Sequence, residues 1–234
     1  MTGAERPGIC WRRSPGWNPT DIGWRIAVLF MVGSALFAAG SLPAYATRVD
    51  GSVVGVTFVV GALFFTSAGA SQLVKSMRDR AASGGGRWTL DWSDIDVWSS
   101  AVQFVGTLLF NVSTIGAMLA ALDTEQQNRI VWRPDVFGSV AFLVASHLAW
   151  LSVCRRVWAV RTDDENWWSA ALNYIGSIFF MLSAIAAIVL PTTGEVLNIT
   201  IVNAATFIGA VCFFVGAYLL LPASPRCSHR NEPA

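Results

Sequence analysis

Residues that carry chemistry are scarce in this chain of 234 residues. Charged residues make up 13%, and there are only two histidines and four cysteines. Cys10 and Cys227 sit in polar tails, Cys154 and Cys212 near or inside apolar runs, and no pair has metal-ligand spacing, so all four read as thiols. His147 is the single histidine in an apolar run. A haem held by two histidines would need a second one. A proton relay would need carboxylates inside the runs, and those runs hold none. No nucleophile elbow, phosphate loop or HExxH occurs, and serines fall at small-residue positions of a repeat described below. The expectation is no catalytic residue, no metal, no cofactor and no enzymatic activity. A net charge of +1 gives no case for nucleic acid. Residues 1–20 lack an apolar core, so no cleavable signal peptide is expected. Lysine is nearly missing: Lys75 stands against fifteen arginines, a hint of a GC-rich bacterial genome.

What the chain has is apolar length. Hydrophobic residues are 54% of it, and six stretches carry no formal charge in their interiors: roughly 25–42, 53–74, 98–122, 136–154, 168–190 and 198–221. At a rise of about 1.5 Å per residue, each helix of this length crosses a hydrocarbon core of about 30 Å. Only helices or closed barrels satisfy the backbone in lipid, and these runs are too long for barrel strands. The fold class expected is all-α, an integral membrane six-helix bundle.

The six stretches share a pattern. Each has an anchor glycine: Gly33, Gly61, Gly106, Gly138, Gly176 and Gly209. Four residues later stands a phenylalanine each time: Phe37, Phe65, Phe110, Phe142, Phe180 and Phe213. Phenylalanine is 14 of 234 residues, so six matches in six make a repeat. A small residue follows each glycine directly, and small residues return seven and eight positions on, as in Ser183 and Ala184. On a helix these positions share one face. In lipid, helices associate mainly by close packing across small residues. The face therefore reads as a packing surface; the sharper alternative is the lining of a pore or ligand cleft.

Odd-numbered glycines are 73 and 70 residues apart and even ones 77 and 71. The unit is a two-helix hairpin, present three times in one orientation, which predicts pseudo-threefold symmetry about the membrane normal. The layout is a polar tail over 1–20, a six-helix domain over 21–222 with hairpins at about 21–75, 91–156 and 163–222, and a second tail over 223–234. Thirteen positive charges fall on one side of this arrangement and three, Arg48, Arg129 and Arg133, on the other. Positive-inside then puts both termini in the cytoplasm, with the protein in a bacterial cell membrane. Ten of eleven tryptophans fall on the same side. Asn18 and Thr20 are candidate caps for the first helix, and acids stand at the start of each odd helix (Asp21, Asp94, Asp96, Glu165). Pro191 closes the fifth.

Two sets of polar residues lie within the spans. His147, nine residues past Gly138, points away from the glycine face and reads as a hydrogen-bonded or lipid-facing neutral side chain. Gln72, Gln103 and Asn173 fall on the glycine–phenylalanine face near the cytoplasmic end, as interhelical hydrogen-bonding groups or as a polar vestibule. Asn111 and Asn203 lie off that face. Asn111-Val-Ser and Asn198-Ile-Thr match glycosylation spacing but sit in or at the edge of a helix, and neither is read as an acceptor.

The Gly-Ser-x-x-Phe core, as in Gly33-Ser34-Ala35-Leu36-Phe37 and Gly176-Ser177-Ile178-Phe179-Phe180, resembles the YrhK-like family of small bacterial two-helix membrane modules. The resemblance covers about 25–221 as three copies, and departs from it at Ala62, Thr107 and Ala210. It implies membrane hairpins and brings no functional residues. Three roles follow in order of support. The first is a non-enzymatic scaffold or accessory subunit, with lipid and another membrane protein as partners. The second is a channel or facilitator for a small neutral solute. The third is an intramembrane enzyme or redox carrier. An axial cavity lined by Gln72, Gln103 and Asn173 would favour the second, a packed axis the first.

Overall fold

The computed structural model describes residues 16–85, 94–119, 122–154 and 160–221. Both tails beyond 16–221, Arg87, Arg155 and Arg156 lie outside the described residues. Six helices are long and apolar enough to cross a membrane: α1 (Ile22–Gly40), α2 (Gly51–Arg80), α3 (Ile95–Gly116), α4 (Arg133–Cys154), α5 (Glu165–Ala186) and α6 (Ile199–Leu219). A helical turn at Thr124–Gln127 and a π-helical segment at Asn128–Trp132 run straight into α4.

The surface and interior are reversed relative to a soluble bundle. Outward positions are aliphatic, among them Leu108, Val112, Val144, Ile178, Leu182 and Val211, while Ser34, Thr107, Ser139 and Ser177 are fully buried. That is the distribution a lipid solvent imposes: apolar side chains gain nothing by leaving it, and small residues let backbones approach.

Each helix packs on its sequence neighbour, and α1 packs on α6, so the six close into a ring. The closest pairs are α1 with α2, α3 with α4, and α5 with α6. Within each pair the anchor glycine takes its partner's phenylalanine. A Cβ on Gly33 would lie 2.9 Å from the Phe65 ring, and one on Gly61 2.8 Å from Phe37. The same crossing pairs Gly106 with Phe142, Gly138 with Phe110, Gly176 with Phe213, and Gly209 with Phe180. The i, i+4 spacing thus works between helices. Each glycine is the socket for the ring of the facing helix.

The rings then meet on the bundle axis. Phe65, Phe142 and Phe213 form a closed triangle with centroids 5.6, 6.0 and 6.3 Å apart. Phe180 stands 6.1 Å from both Phe37 and Phe110 and stacks on Phe213 at 5.3 Å. These are ordinary aromatic contact distances, mostly edge-to-face. Between hairpins, hydroxyl hydrogen bonds add to the ring contacts. Ser146 and Ser177 join α4 to α5 at 2.7 Å. Thr66 accepts from Asn111 Nδ2 at 2.7 Å, joining α2 to α3.

Helix ends differ from the sequence expectation in two places. The cap of α1 is Asp21, whose carboxylate accepts from the Trp24 amide at 2.7 Å, while Thr20 donates to Asn18 instead. A carboxylate at that position also meets the positive end of the helix dipole. Asp94 and Asp164 cap α3 and α5 in the same way. The fifth helix stops at Ala186, short of Pro191. Beyond it, Val189 and Val196 pair as an antiparallel bridge around a turn in which Gly194 takes φ 70°. Asn128 clamps this hairpin: its side chain donates to the Val189 carbonyl at 2.7 Å and accepts from the Val189 amide at 3.0 Å.

Candidate functional site

The axis is filled at its middle but opens at one end, the end where α1, α3 and α5 begin. There a cavity of about 330 Å³ is lined by all six helices. Its floor is Phe30 and Phe213, the near edge of the aromatic cluster. Gln72, Gln103 and Asn173, the three amides singled out in sequence, all line it.

They do not bridge helices. None of the three side-chain amides hydrogen-bonds another described residue, and none is sealed away from the cavity. The hydrogen bonds that tie α4 to α5 at this depth come from Ser146 and Ser177, whose hydroxyls meet each other and reach the backbone carbonyls of Asn173 and Phe142, each at 3.3 Å. The amide of Asn173 is left to the cavity. Each amide offers two N–H donors and a carbonyl acceptor, so the wall from α2, α3 and α5 is rich in both kinds of group. The opposite wall, from α1 and α6, is apolar: Ile26, Ala27, Ala217 and Leu220.

A second, charged hollow of about 400 Å³ adjoins the first and shares Gln72, Lys75, Ser76 and Ala149 with it. Four of its five charged residues, all but Asp96, form two pairs. Lys75 bonds Asp79 one turn along α2. Arg80 reaches the α3 cap, with Nη1 3.1 Å from Asp94 Oδ2. Burial works against the Asp94 carboxylate, but the Val97 amide, the Arg80 guanidinium and the Asp96 amide outweigh it and hold its pKa below the ordinary carboxylate value. The hydroxyls of Ser76 and Ser100 meet at 2.8 Å beneath these pairs.

His147 takes no part in either lining. It is exposed on the outside of α4, its ring 5.8 Å from that of Tyr174. Cys154 is buried and Cys212 half-buried, with no disulfide between them. Among the described residues no three His, Cys, Asp or Glu side chains come together as a metal site would require. Sequence reasoning passed over the apolar half of the cavity, whose residues look like any lipid-facing aliphatic until the ring closes α1 against α6. No family model, curated protein or solved structure matches this chain.

Proposed function

We propose that the protein is a non-enzymatic, multi-pass protein of a bacterial cell membrane that acts as a scaffold or accessory subunit, with another membrane protein as its partner. The observation that carries this is the filled axis. Six phenylalanines linked by ring contacts fill the bundle centre, and at five of the six glycines that seat them a Cβ would come within 3.0 Å of the facing ring. The open end is the cytoplasmic one in this reading, and both termini lie there, on the strength of the thirteen-to-three charge count.

The same reading takes the ring as three copies of one hairpin about a pseudo-threefold axis. Two regularities support it. The crossed glycine–phenylalanine contact recurs in all three pairs. The capping aspartate stands twelve residues before the anchor glycine in each odd helix: 21 to 33, 94 to 106, and 164 to 176. Kinship with the YrhK-like hairpins rests on the Gly-Ser-x-x-Phe core alone.

A facilitator for a small neutral solute is the second reading. The vestibule speaks for it, and the aromatic cluster below speaks against. Proteoliposomes decide between them. Under the scaffold reading, urea and glycerol equilibrate across the purified protein's membrane no faster than across protein-free vesicles; a rate several-fold above that background overturns it.

A further inference from the structure

The vestibule has features that a closed scaffold does not require. Count from the anchor glycines. Three positions before Gly33, Gly106 and Gly176 stand Phe30, Gln103 and Asn173; eleven after Gly61, Gly138 and Gly209 stand Gln72, Ala149 and Leu220. All six line the cavity. At three of these matched positions an apolar residue suffices, so ring assembly does not demand amides there. The other three carry amides, and among the described residues none has a hydrogen-bond partner for its side chain. All three are half-buried and open to the cavity, so their donors and acceptors stay available to whatever occupies it. Three such groups on three helices, all aimed into one space, describe a binding wall.

We propose that this cavity is a binding site for a small, neutral, planar molecule with an amide-like edge, such as an aromatic carboxamide or a lactam-type heterocycle. Neutrality follows from the charges. Among the described residues of the lining Lys75 alone is charged, and its ammonium is paired with Asp79. A bound ion would be desolvated without a counter-charge. The amide edge follows from the wall: adjacent N–H and C=O groups on the ligand pair with the donor and acceptor of one side-chain amide, the bidentate geometry by which Asn and Gln read adenine. Planarity and an apolar far side follow from Phe30 and Phe213 on the floor and from the aliphatic wall of α1 and α6. A volume of about 330 Å³ lies within the range of small-molecule sites. This goes beyond the scaffold reading and is tested separately from it.

The test uses three isosteric probes on the full chain in lipid nanodiscs, with empty nanodiscs subtracted: benzamide, benzoate and benzamidinium. Calorimetric titration should show benzamide binding with a dissociation constant on the order of 1 mM, as suits so small a fragment, and both ions at least about tenfold weaker. Gln72→Leu, Gln103→Leu and Asn173→Leu should each weaken benzamide about three- to tenfold, while Gln103→Asn, which keeps an amide, should lose less than Gln103→Leu. The comparison of probes on the unmodified protein holds even if a variant fails to fold. Equal binding of either ion, no benzamide binding up to about ten times that concentration, or indifference of folded variants to loss of the amides would each overturn the proposal. Solute flux in proteoliposomes would sink the scaffold reading and leave this site standing. Absence of benzamide binding would remove the site and leave the closed axis untouched.

Discussion

Two identical substitutions at buried helix glycines should have opposite effects. Gly69 and Gly176 both lie inside helices, α2 and α5, and both are buried. A Cβ on Gly69 would meet the Phe104 Cα and Thr107 Cγ2 at 3.5 Å, ordinary van der Waals contact. A Cβ on Gly176 would lie 2.8 Å from the Phe213 ring and 3.0 Å from the backbone carbonyl of Gly209. The ring is held by its neighbours on the axis, and a carbonyl in a helix cannot retreat alone. Replacing glycine by alanine favours the helix by up to about 1 kcal/mol at either site, so that contribution cancels between the two. What remains is the overpacking at Gly176, about 1–3 kcal/mol. For a chain of this size that separates the two melting temperatures by about 2–12 °C. Gly69→Ala should melt at or above the parent, and Gly176→Ala at or below it, with that gap between the two. Gly106→Ala should fall with Gly176→Ala, since the Phe142 ring at 2.7 Å is locked into the same aromatic cluster and the Ala141 Cβ at 3.1 Å moves only with its backbone. Thermal unfolding in detergent, read by fluorescence, gives the order. If Gly69→Ala melts no higher than Gly176→Ala, the glycine sockets are not what sets helix approach.

Asn128→Ala removes both hydrogen bonds that hold Val189; it should cost about 1–3 kcal/mol and raise amide exchange in 187–198 while sparing α1 and α2. Asp94 has a folded-state pKa below its ordinary value, so its contribution is present above the unfolded pKa and lost as pH falls through the folded one. The melting gap between the parent and Asp94→Asn should therefore hold steady above about pH 5 and close below about pH 4. Ser34 is fully buried with no partner for its hydroxyl, and at the matching place between α4 and α5 Ser177 is met by Ser146 at 2.7 Å. Ala217 on α6 occupies the position equivalent to Ser146, eight residues past its glycine; Ala217→Ser should stabilise by about 0.5–1.5 kcal/mol, and a lower melting temperature would refute that pairing. Reporter fusions in the 43–52, 123–135 and 191–197 loops should read as external, and a cytoplasmic readout at any of them overturns the orientation.

The helices and their pairing were legible because lipid imposes a simple code. Charge-free length marks a span, and glycine with small residues at helical spacing marks a contact face. The code is local, and it stops where structure depends on a second segment. The i, i+4 spacing suggested a ring flanked by small residues of its own helix. The structure seats that ring on the next helix's glycine, a fact about two faces that neither sequence window contains. Pro191 announced a break, yet α5 ends at Ala186, because residues 188–197 gain more by pairing with each other and with Asn128 than by one further helical turn. Asp21 outcompeted Asn18 and Thr20 as a cap for a local reason that was open to inspection: only its carboxylate lies three residues before the amide it accepts from, that of Trp24.

The candidate site was half visible for a related reason. Amides inside apolar runs are conspicuous, so Gln72, Gln103 and Asn173 stand out in the sequence; their purpose does not, because hydrogen bonding across an interface and lining a cavity look alike there. What separates the two is reach. At the level of Ser146 and Ser177 the backbones are close enough for two hydroxyls to meet at 2.7 Å, and hydroxyls take over the bridging. The longer amides line the cavity beside Phe30 and Phe213, and among the described residues their side chains find no hydrogen-bond partner. A bundle that needed only to be closed could have continued its aromatic filling to this end, as it does with Phe30. It places three amides there instead, and that departure from an otherwise regular pattern makes the vestibule the part of this molecule where function is to be sought.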